Sequence, residues 1–161
     1  MMKKTLNLII LCIAIIIGCS PKTSTEESTK TVLFVCTHGA ARSPIAAAYF
    51  NQLAQEEGLN YQAVFRGTEP DAELTTATIE GLSADGFNIN DWNPQLVNEN
   101  DLKAASQIIT FDCQPPPVEG LKIVAVEWNG TPSISKDYNT ARDAILLEVR
   151  KLIVQLKSES N

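Results

Sequence analysis

Short apolar runs alternate along this chain with stretches in which apolar residues recur every three or four positions. That alternation predicts an α/β fold, a parallel sheet with helices on both faces. Four runs read as strands: Thr31–Cys36 (TVLFVC), Tyr61–Gly67 (YQAVFRG), Ser106–Phe111 (SQIITF) and Lys122–Trp128 (KIVAVEW). Helical spacing covers Ser43–Glu57, Glu73–Asp85 and Asn139–Lys157, with a shorter helix near Glu99–Ala105. In the last long helix Ile145, Leu146, Val149, Leu152, Ile153 and Leu156 make one face that excludes Arg150 and Lys151, so this stripe belongs to the core. Trp92 and Trp128 are expected to pack as well, with Trp128 placed at a strand end.

Ahead of the first strand the pattern changes. Lys3 and Lys4 precede the apolar run Leu6–Ile17, which is short for a membrane span and shaped like a secretory signal. The run ends in Ile17-Gly18-Cys19, which resembles the lipobox of bacterial lipoproteins; the resemblance implies lipidation of Cys19 at a new N-terminus. Ser20–Lys30 (SPKTSTEESTK) offers nothing to a core and reads as a solvated tether. The expected organisation is a signal over residues 1–18, a lipidated cysteine and tether over 19–30, and one domain over 31–161. The protein would then be exported and anchored at a bacterial membrane, on its periplasmic side or at the cell surface. Cys12 would leave with the signal, so Cys36 and Cys113 are the thiols of the domain.

Charge narrows the partners. The chain carries −6, and loss of Lys3 and Lys4 with the signal takes it to −8. An acidic domain without basic clusters suits neither nucleic acid nor anionic lipid headgroups. Any site for an anion must therefore be local. A lone histidine and scattered carboxylates show no spacing suited to a metal, and the glycines form no dinucleotide fingerprint, so neither metal nor organic cofactor is expected.

The local site is read at the end of the first strand, where ligands of parallel α/β sheets collect. There Cys36 is followed by Thr37, His38, Gly39, Ala40 and Ala41, then by Arg42, Ser43 and Pro44. Gly39 accepts a positive φ, so consecutive N–H groups of residues 37–41 can turn inward around an anion. The next helix begins near Ser43, with Pro44 in its first turn and its positive end facing the same point. Arg42 adds a planar fork matched to two oxygens of a tetrahedral anion. A helix N-terminus and an arginine favour a thiolate over a thiol, which makes Cys36 the candidate nucleophile; Ser43 could donate to its sulfur.

This stretch, VLFVCTHGAARSPIAAAYF, resembles the signature of the low-molecular-weight protein tyrosine phosphatases, a superfamily shared with the thioredoxin-coupled arsenate reductases. The segments FRGTEP (Phe65–Pro70) and IITFDC are similar to its later strand ends. The resemblance spans Thr31–Lys157 and implies a three-layer fold with sheet order 2-1-3-4. It implies Cys36 as nucleophile, Arg42 as oxyanion clamp, Ser43 as the sulfur's hydrogen-bond partner, and the backbone of Thr37, His38, Gly39, Ala40 and Ala41 as cradle. It also implies a phosphorylated substrate or small oxyanion.

Three departures bear on the activity. Gly39 stands where the family usually has a loop-bracing asparagine, and the loop carries no second cysteine. Where the phosphatases place an Asp-Pro pair to protonate the leaving group, this chain has Thr131-Pro132. A lost general acid costs a factor of about 10² to 10⁴ unless another group substitutes. Asp112, after the third strand, is ranked first as that substitute; Asp137 is expected to cap the last helix instead. His38 is read either as a proton donor or substrate contact at the rim or, by default, as an exposed loop histidine with no specific task, and Tyr138 either as an aromatic wall or, by default, as a packing residue. Three functions follow: a phosphomonoesterase working through a phosphocysteine, an arsenate reductase using Cys36, Cys113 and an external thiol, and a non-catalytic anion binder. Neighbouring strands one and three would bring Cys36 and Cys113 near bonding range, so a resting disulfide is a further expectation.

Overall fold

The computed structural model describes residues 28–160. The readings of a signal, of Cys19 and of most of the tether lie outside them. Strands β1 (Lys30–Cys36), β2 (Tyr61–Gly67), β3 (Ala105–Phe111) and β4 (Ala125–Glu127) form one parallel sheet in the order β2-β1-β3-β4. Helices α1 (Arg42–Glu56), α2 (Thr76–Ala84), α3 (Glu99–Ala104) and α4 (Tyr138–Glu159) pack around it. Both the α/β class and the strand order match the expectation.

β1 shows why its sequence is apolar without interruption. Val32, Phe34 and Cys36 face a core shared with α1, α2 and α4, while Leu33 and Val35 face a smaller cluster with Leu102 of α3. With both faces covered, alternation disappears and every residue from Val32 to Cys36 is buried. Beneath the strand ends Phe34, Phe50, Phe111 and Trp128 pack ring on ring at 5.6–6.4 Å, so Trp128 is core as expected. Trp92 packs on Phe65. In α4 the predicted stripe is buried at Ile145, Val149, Leu152, Ile153 and Leu156 and half-buried at Leu146.

Two elements are shorter than the pattern implied. β4, an edge strand, pairs only over Ala125–Glu127, against Ile108–Thr110, and Val124 and Val126 stand exposed there. α2 begins at Thr76 because the Thr75 hydroxyl accepts from the Thr78 N–H and caps it. Asp137 caps α4 by accepting from the Thr140 N–H at 3.1 Å, as expected.

A polar clamp joins three helices. The Tyr49 and Tyr138 hydroxyls each donate to Asp85 Oδ2 at 2.7 Å, and Arg142 Nη1 donates to Asp85 Oδ1 at 3.1 Å. Burial pushes the Asp85 carboxyl up, but the Tyr138 and Tyr49 hydroxyls and then Arg142 outweigh it and hold the group below its usual 3.8. A depressed carboxyl stabilises the fold above its unfolded pKa and loses that contribution as pH falls through the folded value. Asp85→Asn is therefore expected to lower Tm at pH 7 and to flatten the fall of Tm below about pH 4. An unchanged acid limb in thermal scans would contradict this.

Candidate active site

The loop after β1 is built by its neighbours' backbone. The carbonyls of Cys36, Thr37, His38 and Ala40 accept from the N–H groups of Thr68, Glu69, Asp71 and Thr75 at 2.8–3.1 Å. With its carbonyls drawn outward to the segment after β2, the loop has its N–H groups left for the interior. Among the described residues, no backbone partner takes the N–H groups of His38, Ala40 or Ala41. The Gly39 N–H donates to Cys36 Sγ at 3.2 Å. The segment over residues 68–75 thus braces the loop, a task the sequence reading tied to the family's asparagine.

Gly39 is required at its position. Its φ is +62°, and an added Cβ would lie 2.9 Å from the Gly67 nitrogen at the end of β2. Gly67 is tight in return, since its own Cβ would meet Gly39 N at 2.9 Å. A left-handed conformation costs a non-glycine residue about 1–2 kcal/mol before any clash. Gly39→Ala is expected to lower Tm and weaken inorganic phosphate binding at least tenfold, measured by calorimetry; wild-type affinity would show that the cradle tolerates displacement.

Helix α1 then presents its positive end. Its N-cap, Ala41, has no side chain able to cap, so the first-turn N–H groups remain available to an anion. Pro44 sits in that first turn, where its missing N–H matters least. Ser43, fully buried, places Oγ 3.1 Å from Cys36 Sγ and 3.4 Å from the Arg66 carbonyl. Its single proton can go to either, and a thiolate is the stronger claimant. β2 is pinned beside this point by Arg66, whose Nε and Nη2 donate to the Asp101 carboxylate at 2.9 Å each.

Arg42 has partners that the sequence did not reveal. Its Nη1 donates to the Asp112 carboxylate, its Nη2 to the Phe111 carbonyl at 3.3 Å, and the guanidinium lies 5.7 Å from the Phe111 ring centre. Asp112 is also the single non-glycine residue with positive φ among the described residues, at +48°. Asp112 does sit at the carboxyl edge of the sheet, as expected, but on the arginine. Asp112 thus occupies a donor of the guanidinium that the sequence assigned to an oxyanion.

Beside Arg42 opens a cavity of about 370 Å³, walled by Thr75, Thr131, Pro132, Ser133, Ile134 and Ser135 as well as by Ala41. Thr131-Pro132 therefore stands at the pocket, where the family's acid pair was expected. Thr75, Ser133 and Ser135 were not singled out from the sequence, and only their hydroxyl chemistry could have suggested them. Tyr138 is not on this wall: its ring packs over Gly81, whose Cβ would strike it at 2.2 Å, and its hydroxyl goes to Asp85. His38 is largely exposed, with Nδ1 3.3 Å from the Asp71 carboxylate.

The two thiols are unbonded. Cys113 packs against the cluster of Leu33 and Val35 on the opposite side of the sheet from Cys36's core, and donates to the Val35 carbonyl at 3.5 Å. Both are free thiols here, and Cys113 stands beside Val35, the residue before Cys36. Burial, with a smaller contribution from Cys36, pushes the Cys113 thiol up.

Fold and site together place a thiol inside a loop of inward N–H groups at the strand ends of a parallel α/β sheet. Residues 31–116 match the family described as low molecular weight phosphotyrosine protein phosphatase, and the chain belongs to it. A protein-arginine-phosphatase of Bacillus subtilis is 33% identical over 70 residues, covering 42% of this chain and 47% of that one. Among solved structures, YfkJ of Bacillus subtilis superposes with a TM-score of 0.73 at 22% identity, over 84% of this chain and 99% of that one. A thioredoxin-dependent arsenate reductase of Corynebacterium glutamicum gives a TM-score of 0.67 at 25% identity, over 83% of this chain. This chain spans 65% of the length of that reductase. Phosphatases and arsenate reductases thus share this architecture, and both are enzymes.

Proposed function

We propose that the protein is a phosphomonoesterase acting through a phosphocysteine on Cys36. The Cys36 thiolate attacks phosphorus, the P–S bond forms, and the bond to the leaving oxygen breaks with its electron pair on that oxygen. The loop N–H groups and Arg42 bind the phosphoryl oxygens, where charge redistributes in the transition state. Water then attacks phosphorus, the P–S bond breaks, and Ser43 donates to the restored thiolate. Asp112 acts on the clamp, holding Arg42 until an anion replaces it.

The observation that carries this reading is the sulfur's setting: Gly39 N–H at 3.2 Å and Ser43 Oγ at 3.1 Å, beside a loop whose Thr37, His38 and Ala40 carbonyls are engaged by the segment after β2. Against arsenate reduction stands Cys113, the other described thiol, whose pKa burial pushes up and which packs with the cluster on the opposite face of the sheet. An external thiol reductant would have to carry that cycle. Reduced full-length protein assayed for p-nitrophenyl phosphate hydrolysis and for thiol-dependent arsenate reduction separates the two. Hydrolysis without reductase turnover is the expected result, and the reverse would overturn the proposal. Export and lipid anchorage at Cys19 are also proposals, resting on residues 1–19 alone; incorporation of labelled palmitate that Cys19→Ala abolishes would support them.

A further inference from the structure

The cavity beside Arg42 has a chemical property that bears on which phosphate compounds it can split. Its wall offers hydroxyls from Thr75, Thr131, Ser133 and Ser135 and apolar surface from Pro132 and Ile134, but no carboxyl group and no aromatic ring. A leaving oxygen in this cavity faces alcohols, which do not give up protons at neutral pH. The Thr131 hydroxyl is turned to the Trp128 carbonyl at 3.5 Å, and Thr75 Oγ1 is bonded to Thr78 Oγ1 at 2.8 Å.

Four nearby carboxyl groups have other partners in this structure, and Glu69 and Glu73, on the brace that ends at Thr75, are exposed and do not line the cavity. Asp112 lies on Arg42, Asp71 faces His38, and Asp85 accepts from two tyrosines and Arg142. Asp137 caps α4, and the Thr140 hydroxyl and N–H hold its carboxyl below the usual range. None lines the cavity. General acid catalysis needs a donor within hydrogen-bond reach of the atom that accepts the proton.

We propose that the natural substrate is an acyl phosphate, whose leaving group departs as a carboxylate and requires no proton. This rests on the phosphatase reading. A carboxylate's conjugate acid has a pKa of about 4, a phenol's about 10, so without an acid the first leaves far more readily. The step balances without a donor. An acyl phosphate dianion and the Cys36 thiolate give a carboxylate and a phosphocysteine dianion. Water then yields the thiolate and dihydrogen phosphate, with both of its protons staying on the product. The absence of an aromatic ring from the wall agrees with an aliphatic acyl group, since aromatic pairing would favour an aryl ester.

The test compares acetyl phosphate, p-nitrophenyl phosphate and phenyl phosphate on reduced full-length protein, with Thr131→Asp and Asp112→Asn alongside. In the wild type kcat/KM should fall steeply from acetyl to phenyl phosphate, by at least about 10²-fold, the low end of what an acid supplies. Thr131→Asp places a carboxyl on the wall and should raise the ratio of phenyl to acetyl phosphate turnover by about 10²-fold, with a descending limb appearing at high pH. Phenyl phosphate split as readily as acetyl phosphate by the wild type would overturn the proposal, and loss of that turnover in Asp112→Asn would name the hidden acid. Should Thr131→Asp not fold, the wild-type ratio still decides. Cys36→Ser turning over acetyl phosphate like the wild type, or no substrate being split at all, would sink the phosphatase reading itself; a flat leaving-group dependence with Cys36 essential would sink only this inference.

Discussion

Cys36→Ser protein is expected to release no p-nitrophenolate above background while still binding inorganic phosphate. The alcohol is a far weaker nucleophile at neutral pH than a thiolate, and loss of an activated nucleophile elsewhere has cost on the order of 10⁶ in kcat. The cradle should survive, because what builds it does not pass through sulfur. Carbonyls of the loop are held by Thr68, Glu69, Asp71 and Thr75, and the α1 N-terminus has no side-chain cap. The small serine leaves the Gly39 N–H and Ser43 Oγ with an oxygen as partner in place of sulfur. Residual turnover within tenfold of wild type would mean that the chemistry runs elsewhere.

Arg42→Ala is expected to lower kcat/KM by about 10² to 10³ and to weaken phosphate binding, the range seen when a preorganised donor to an oxyanion is removed. Arg42→Lys should recover little. A lysine supplies charge but not two parallel donors, so the fork that now spans Asp112 and the Phe111 carbonyl has no equivalent. The same geometry predicts a distinct phenotype for Asp112→Asn. Freed from its carboxylate, the guanidinium should bind phosphate more tightly than in the wild type. Weaker binding would show that Asp112 holds Arg42 in the productive position rather than competing with the anion.

How much of this was legible depends on distance along the chain. β1, the loop and α1 are consecutive, and their order alone places Cys36, Arg42 and Ser43 around one point. The strand order followed from resemblance, and β2 was read with its observed bounds. Features built by contact between remote segments were not legible. The brace over residues 68–75 works through backbone N–H groups, which carry no residue signature. The Arg42–Asp112 pair joins positions 70 apart, and only the fold brings them together. Tyr138 packs, as its default reading had it, because Gly81 leaves room for its ring against α2; the remote glycine that makes this room was not legible. β4 keeps only Ala125–Glu127 of its predicted run, the part that pairs with β3.

The central claim is a phosphoryl group carried on Cys36. Rapid acid quench of reduced full-length protein mixed with p-nitrophenyl phosphate, followed by mass spectrometry of the peptide that contains Cys36, tests it most directly. The account predicts a burst of p-nitrophenolate approaching one per protein molecule and a phosphoryl adduct on Cys36 that decays as inorganic phosphate appears. Turnover with no adduct on Cys36, or with a Cys36–Cys113 disulfide accumulating instead, would contradict it.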